Sequence, residues 1–565
     1  MKWLPDHTPV NSEVVKEAKE LGYPFALCEF LGRKADISDV PTLHQYLDKS
    51  ISQLIDPFQF SQMKKAVERL LEAAHKGEPV LVYGDFDADG ITGSSLLYWG
   101  LRKAGITPQV YLPNRFSEGH GLSAPVVEKF ASEGIKLLIT VDCGMGSATE
   151  INLATSLGVD VIVTDHHLPE DDFDALAVIN PWIDYPFPHL AGVGVAFKLI
   201  QAFLMIKFGE NSLEYASTIE NLLDLVSIGT IADVVSLTGE NRVMVSMGLN
   251  HMPQSKMPFL SGFWHRKIGS AGGREHYDEE DVSFYMAPRL NAASRVTSAE
   301  SAFKFMTSVK PDKLNQYGME LESLNRRRIQ MLEQLKSSPL LKIWEIATGP
   351  VTVVDTDSSE LGLLGLLASS MKSETGRSVI ALGRRPDGKV SGSCRAGDEI
   401  HMRELLESVS SCLISYGGHK RAAGLALEVE SIPELLSALE NSLKDFEKCP
   451  EEQRVFHGSF EIGEVTEEFM EKLHTLRPFG EGNEKPVFRL ENFQLQNVRR
   501  VGNGRTLSFK IAKDDCESFS VQGIGFGMGE LEKSIRGARY LYGTLGWNYF
   551  GSKRNIQFQL IDFSM

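Results

Sequence analysis

Three aspartates at alternate positions, Asp85, Asp87 and Asp89, lie in the stretch Gly84-Asp85-Phe86-Asp87-Ala88-Asp89-Gly90. Carboxylates crowded this closely repel one another unless cations neutralise them. A solvated acidic turn and a calcium loop share the pattern, so its meaning depends on the rest of the chain. Asp142 stands before Cys143-Gly144, Asp165-His166-His167 joins an acid to two imidazoles, and Asp233 closes the apolar run 223–232. Taken singly, a histidine pair is commonly structural and an aspartate commonly caps a helix. Taken together, carboxylates and imidazole without thiolates at ligand spacing suit Mn²⁺ or Mg²⁺ better than zinc. Two such ions side by side would activate a water and stabilise a leaving oxygen.

The elements that must position these groups follow from periodicity. Residues 79–83 form a short apolar run of buried-strand type, and 91–97 open a helical pattern. Further strand-like runs occupy 109–112, 137–141 and 161–164, with helical patterns over 123–133 and 150–157. That alternation predicts a parallel sheet with helices on both faces across 78–235. Asp142 and Asp165 then end their strands on the same edge as the aspartate turn. In open α/β sheets ligands bind at that carboxyl edge.

A chain of 565 residues is too long for one core and predicts three or four domains. Residues up to about 75 read as mostly helical, with Asp56-Pro57 breaking the chain before an amphipathic helix. The stretch 311–337 is a long charged helix containing Leu324-Asn325-Arg326-Arg327-Arg328. A second α/β unit has strands over 350–354 and 378–382, and ends in Ser391-Gly392-Ser393-Cys394-Arg395 and Tyr416-Gly417-Gly418-His419. Glycines there let backbone N–H groups approach phosphate, with Arg395 and His419 as further donors. From about 454, alternating short strands predict a small barrel. Arg499, Arg500, Arg505, Lys510, Trp547 and Tyr549 supply it with basic and stacking groups of the kind that bind single strands.

The net charge of −17 excludes a broad basic field, so a polyanion site must be a local groove. Six cysteines without C-x-x-C spacing indicate neither zinc nor a disulfide framework and fit a reducing cytoplasm. The start of the chain lacks an apolar signal core and no apolar run approaches membrane-spanning length. A cytoplasmic protein without membrane contact is expected.

The aspartate turn, Thr140-Val141-Asp142, Asp165-His166-His167 and Thr230-Ile231-Ala232-Asp233 resemble the four motifs of the DHH phosphoesterase superfamily. Pro113-Asn114-Arg115-Phe116, Gly119-His120-Gly121-Leu122, Leu190-Ala191-Gly192-Val193-Gly194 and Ala287-Pro288-Arg289-Leu290-Asn291-Ala292-Ala293 narrow the resemblance to the RecJ family of single-strand-specific exonucleases. The resemblance implies an α/β protein of two lobes, DHH (76–250) and DHH-associated (341–450), joined by a helical connector (251–340). It adds an N-terminal helical segment (1–75) and a C-terminal OB-like barrel (454–565), where Pro478-Phe479-Gly480-Glu481-Gly482-Asn483 resembles a family stretch. Metal ligands implied by the resemblance are Asp87 and Asp89, with Asp85 in the same turn, His166, Asp233, and Asp142 bridging both ions. His167 is implied to lie nearer the scissile phosphate. Implied substrate contacts are Arg115, Arg289, Asn291, Arg295, Asn325, Arg328, Ser393, Arg395, Gly418 and His419.

The implied activity is 5′-to-3′ hydrolysis of single-stranded DNA in repair and recombination, with two Mn²⁺ or Mg²⁺ ions and no covalent intermediate. A monomer working with a single-strand-binding protein and a recombination helicase is expected. One rival is a DHH phosphoesterase acting on short oligonucleotides or cyclic dinucleotides, which would not need the barrel. Another is a scaffold that binds single strands without cutting them; it predicts eroded ligands, yet Asp87, Asp89, Asp142, His166 and Asp233 are all present. Two departures bear on end recognition and phosphate contacts. Ser359-Glu360 stands where family members often carry Trp-His before the Gly-x-x-Gly helix, and Cys394 replaces the more usual glycine of Ser-Gly-Arg.

Overall fold

The computed structural model describes residues 2–169, 173–268, 276–397, 399–444, 453–513, 516–550 and 553–565. The chain divides into two compact units. One comprises Ile55–Val235 and Gly248–Cys449; the other comprises Met1–Leu54, Ser236–Met247 and Pro450–Met565.

In the first unit, β1 (Val80–Gly84), β2 (Gln109–Tyr111), β3 (Leu137–Val141), β4 (Asp160–Thr164) and β5 (Ala177–Ile179) form one sheet in the order β2-β1-β3-β4-β5. All four pairings are parallel. Every residue of β1 and β3 is buried, because helices cover both faces, and that double burial makes these strands read as unbroken apolar runs. β5 has no counterpart in the sequence pattern. The helices α1 (Ala88–Lys103), α2 (Gly192–Phe208) and α3 (Leu213–Ala232) pack on one another. α2 is buried along its whole first part, as its all-round apolar sequence requires. After β2 the chain returns across β1 to β3, so the strand order reverses between them. A crevice opens at such a switch point, at the carboxyl ends of the strands.

The same unit holds α4 (Ala287–Val296), the long α5 (Pro311–Lys336) and a second, mixed sheet. That sheet contains β6 (Lys342–Glu345), β7 (Val351–Asp355), β8 (Ser378–Arg384), β9 (Val390–Arg395), β10 (Ser415–Gly418) and β11 (Ala422–Leu427), in the order β10-β11-β9-β8-β7-β6. α5 packs along α4 and reaches α6 (Leu364–Thr375), so one long helix links the two lobes as expected.

The other unit carries seven strands paired in the order Gly458–Glu461, Phe488–Glu491, Tyr540–Phe550, Lys553–Ser564, Cys516–Gly525, Thr506–Lys513, Gln494–Val501. Among the described residues these pairings form an open series rather than a closed ring. Residues 1–54 share its core: Leu27, Leu31 and Leu43 are buried in one cluster with Phe460, Phe488 and Phe558. Lys2–Pro5 pairs in parallel with Gln453–Phe456, and Trp3 stacks on Tyr542 at 4.5 Å. No local pattern foretells a pairing between the two ends of the chain. In the Pro478–Asn483 stretch, Asn483 is buried, donates to the carbonyls of Leu476 and Pro478 and accepts from Tyr46, so it locks the unit internally. Of the expected nucleic-acid groups, Arg500 is held by Glu530 and Glu532, and Arg554 covers the Trp547 ring at 4.5 Å. Arg499, Arg505 and Lys510 are exposed, while the side chain of Tyr549 lies outside the described residues. No described helix is long and apolar enough to cross a membrane.

Candidate active site

The turn after β1 is shaped by its own carboxylates. Asp87 caps α1, accepting from the amides of Asp89 (2.9 Å) and Gly90 (3.2 Å). Asn291 on α4 accepts from the Ala88 amide at 3.0 Å and braces the turn from outside. Asp89 docks on the N-terminus of α2, where Gly192 and Val193 donate to its two oxygens at 2.7 and 2.9 Å. A β-carbon on Gly192 would stand 2.5 Å from that of Asp142, so only glycine lets α2 come this close. Asp142 has φ +59°, the left-handed region that non-glycine residues seldom adopt, and this turns its carboxylate into the crevice. Asp233 ends α3, where the helix dipole opposes a negative charge.

The result is one acidic cluster built from three overlapping sets. Asp85, Asp87 and Asp142 form one, Asp89, His166 and Asp233 a second, and Asp142, His166 and His167 a third; each offers ligand atoms within 4.8 Å of one another. Burial, with neighbouring carboxylates adding, pushes Asp87 up, Asp89 to about 6, Asp233 to about 8 and Asp142 well above the usual carboxylate range. A site that buries this much like charge fits divalent cations, and its oxygen-rich donors with imidazole fit Mn²⁺ or Mg²⁺. Mn²⁺ at about 100 times its Kd should therefore stabilise the fold by about 2.7 kcal/mol, read as a rise in Tm over protein in chelator. An unchanged Tm across a full Mn²⁺ titration would remove the cluster as a binding site.

The segment after β4 divides its labour. Asp165 faces inward and accepts from the amides of His166 (2.7 Å), His167 (3.1 Å) and Met145 (2.9 Å), and from His167 Nδ1 (2.8 Å). Burial alone would raise this carboxyl, but the His167 bond and the amides bring it down to about 2. His166 points Nε2 into the cluster, 3.1 Å from Asp142, 3.7 Å from Asp233 and 4.0 Å from Asp89. His120 places Nδ1 3.2 Å from Asp85, and its ring centre is 5.1 Å from that of His167. Sequence reasoning gives Asp165 and His120 no role of their own, although both stand in motifs. An aspartate at a strand end directly before two histidines is the available signal for the first; His120 has none beyond its glycine neighbours.

A basic pocket lies beside the cluster. Arg115 sits over the Phe86 ring at 4.7 Å, Arg295 donates to the Gly362 carbonyl at 3.1 Å, and Arg395 donates to Ser393 Oγ at 3.3 Å and the Cys394 carbonyl at 2.8 Å. Burial, then the nearby Arg115 guanidinium, push Arg295 down to about 9, with Arg395 and Arg328 adding to the effect. Guanidiniums crowded in this way are a seat for phosphate oxygens. A β-carbon on Gly365 would stand 2.9 Å from the Arg395 guanidinium, so glycine opens the space at the start of α6. Cys394 alternates to the other face of β9 and packs in the core of the second sheet, leaving Ser393 and Arg395 on the pocket side. Glu360 is exposed.

Other expected contacts have different surroundings. Arg289 is held by both oxygens of Glu322 at 2.7 and 3.3 Å and lies 3.7 Å from the Tyr285 ring centre. Asn291 braces the aspartate turn, as described. Asn325 is buried with no hydrogen-bond partner for Oδ1, and Arg328 likewise has none for its buried Nε. Gly418 has φ +133° at the end of β10, and His419, exposed beside it, closes the hairpin by donating its amide to Ala422 at 2.8 Å.

A parallel sheet with a buried carboxylate–imidazole cluster at its switch point, joined by a long helix to a second lobe bearing an arginine pocket, defines a DHH-type protein. The DHH family N-terminal domain matches residues 79–230 and the DHHA1 domain residues 349–445. The RecJ OB domain matches 457–562. The single-stranded-DNA-specific exonuclease RecJ of Bacillus subtilis is 32% identical over 533 residues, covering 92% of this chain and 65% of that protein. The protein of the same name from Haemophilus influenzae is 31% identical over 544 residues, covering 92% of this chain and 93% of its own length. This chain belongs to the RecJ family. The crystal structure of Thermus thermophilus RecJ with Mn²⁺ superposes at a TM-score of 0.78 and 26% identity, covering 100% of this chain and 79% of that one. The Mg²⁺ complex gives 0.73 and 26%, covering 100% and 78%.

Proposed function

We propose that the chain is a metal-dependent exonuclease that hydrolyses single-stranded DNA from the 5′ end, and that two Mn²⁺ or Mg²⁺ ions serve the reaction. The observation that carries this reading is the buried acidic cluster lying beside an arginine pocket, in a chain whose relatives are named single-stranded-DNA-specific exonucleases. Asp87, Asp89, Asp142, His166 and Asp233 would hold the ions, with Asp85 in the same turn and Asp142 shared. Divalent ions held there would supply activation of a water and countercharge for the leaving oxygen.

The chain's own groups do the rest. Asp165 fixes Nδ1 of His167, leaving Nε2 for a phosphate oxygen or the leaving group. Arg115, Arg295 and Arg395, with Ser393, bind the terminal 5′-phosphate and set the cut a short distance from the end. Arg328, Asn325, Gly418 and His419 add contacts along the backbone. Arg289 and Asn291 act through the elements they hold. Hydrolysis needs no nucleophile from the protein. Family membership supports a setting in repair and recombination, where a helicase and a single-strand-binding protein present the strand, and a monomer is sufficient for the chemistry.

Digestion of 5′- and 3′-labelled oligonucleotides, single- and double-stranded, in Mn²⁺, Mg²⁺ or chelator tests the reading. Rapid release of the 5′ label from single strands is expected, with nothing released in chelator. A 5′-hydroxyl end should slow the reaction about 10-fold by removing a charge-assisted contact. Release of the 3′ label first, or equal attack on duplex, would overturn it.

A further inference from the structure

Trp182 has no role in the reaction as described, yet it is tied to the metal edge. It lies in the one-turn helix Pro181–Asp184 that follows β5. Asn180 caps that turn, accepting from the Trp182 amide at 2.9 Å and donating from Nδ2 to the His167 carbonyl at 2.8 Å. The indole N–H of Trp182 donates to the His166 carbonyl at 2.9 Å. One short segment therefore holds both carbonyls of the histidine pair.

With its only donor engaged, the indole is still 43% exposed. His189 packs against it in a T-shaped pair, with ring centres 5.7 Å apart and planes at 85°, and does not lie parallel on the indole. Ile183 beside it and Leu168, directly after His167, are also exposed. An aromatic needed only to hold His166 would bury its face; one left open beside a phosphodiester site is suited to a nucleobase, since every base has a π-face. Arg115 is acted on by Asp87 and Asp85, whereas Trp182 is bonded to His166. Phosphate and base contacts would thus approach the cluster at different residues, as a strand passing through the site requires.

We propose that Trp182 stacks a nucleobase adjacent to the scissile phosphate on the His166 side of the cluster, and that its N–H bond positions His166. The inference rests on the single-strand exonuclease reading above. Oligonucleotides carrying one abasic site at each of the first four positions test it, with kcat and KM measured for the native chain, Trp182→Phe, Trp182→Gln and Trp182→Ala. In the native chain one abasic position should lower kcat/KM about 10-fold, chiefly through KM. That penalty should persist in Trp182→Phe, which keeps a ring and loses the donor, so that kcat falls instead. It should vanish in Trp182→Gln, which keeps a donor and loses the face, and in Trp182→Ala. Native protein that fails to digest the unmodified strand would sink the underlying reading. Native protein that digests it but ignores abasic sites, or ring-less variants that keep the penalty, would sink the stacking role alone.

Discussion

Asp142→Asn is expected to lower hydrolysis of single-stranded DNA about 10³-fold or more, while the fold stays intact. Asparagine matches the size of the native side chain and tolerates the left-handed backbone at this position, φ +59°. The substitution removes one charge from the residue common to two of the three ligand sets. It also takes away a carboxylate that burial and four neighbouring acids hold far above its ordinary range. The metal-free Asp142→Asn variant should therefore melt no lower than native protein, because repulsion in the cluster falls. Its Tm should respond less to Mn²⁺. Initial rates in Mn²⁺ and thermal melts with and without metal check both halves. A rate within 10-fold of native would mean that Asp142 is not shared between the ions.

Arg295→Met should weaken binding of 5′-phosphorylated single strands roughly 10- to 100-fold, the span expected for one charge-assisted contact. Methionine keeps much of the apolar stem and removes the guanidinium. Burial, and then the guanidiniums of Arg115, Arg395 and Arg328, lower the proton affinity of Arg295 and leave it suited to an anion. The loss should be confined to phosphorylated ends, with 5′-hydroxyl strands bound almost equally by native and variant proteins. The slope of log affinity against log salt should flatten by about 0.7, the value for one phosphate contact on a single strand. An unchanged preference for phosphorylated ends in Arg295→Met would place the terminal phosphate elsewhere.

Much of the first lobe is legible in the amino-acid sequence. β1 and β3 are buried on both faces, so they read as continuous apolar runs, and their acids fall at the ends because the crevice lies there. The ordered motifs that carry the family resemblance are local strings, each formed by one strand end or one helix start. Residue types and spacing are thus enough for the parallel sheet and the acidic edge, and the motifs carry the resemblance to the RecJ family.

What only the tertiary structure decided is which of these groups meet, and from which side. Asp233 and Asp89 come from different helices, and packing of α3 and α2 against α1 brings both to His166. Arg289 and Arg295 share one helix and one motif, yet six residues place them about 120° apart around its axis. One therefore meets Glu322 and the other the pocket. Cys394 looks in the sequence like a change at the phosphate seat, but the alternation of β9 sends it into the core. Residues 1–54 carry helical periodicity that cannot announce a partner, and their partner is the strand-rich end of the chain. Sequence periodicity records which face of an element is apolar; the face that covers it can come from any distance along the chain, and burial of both together makes the choice.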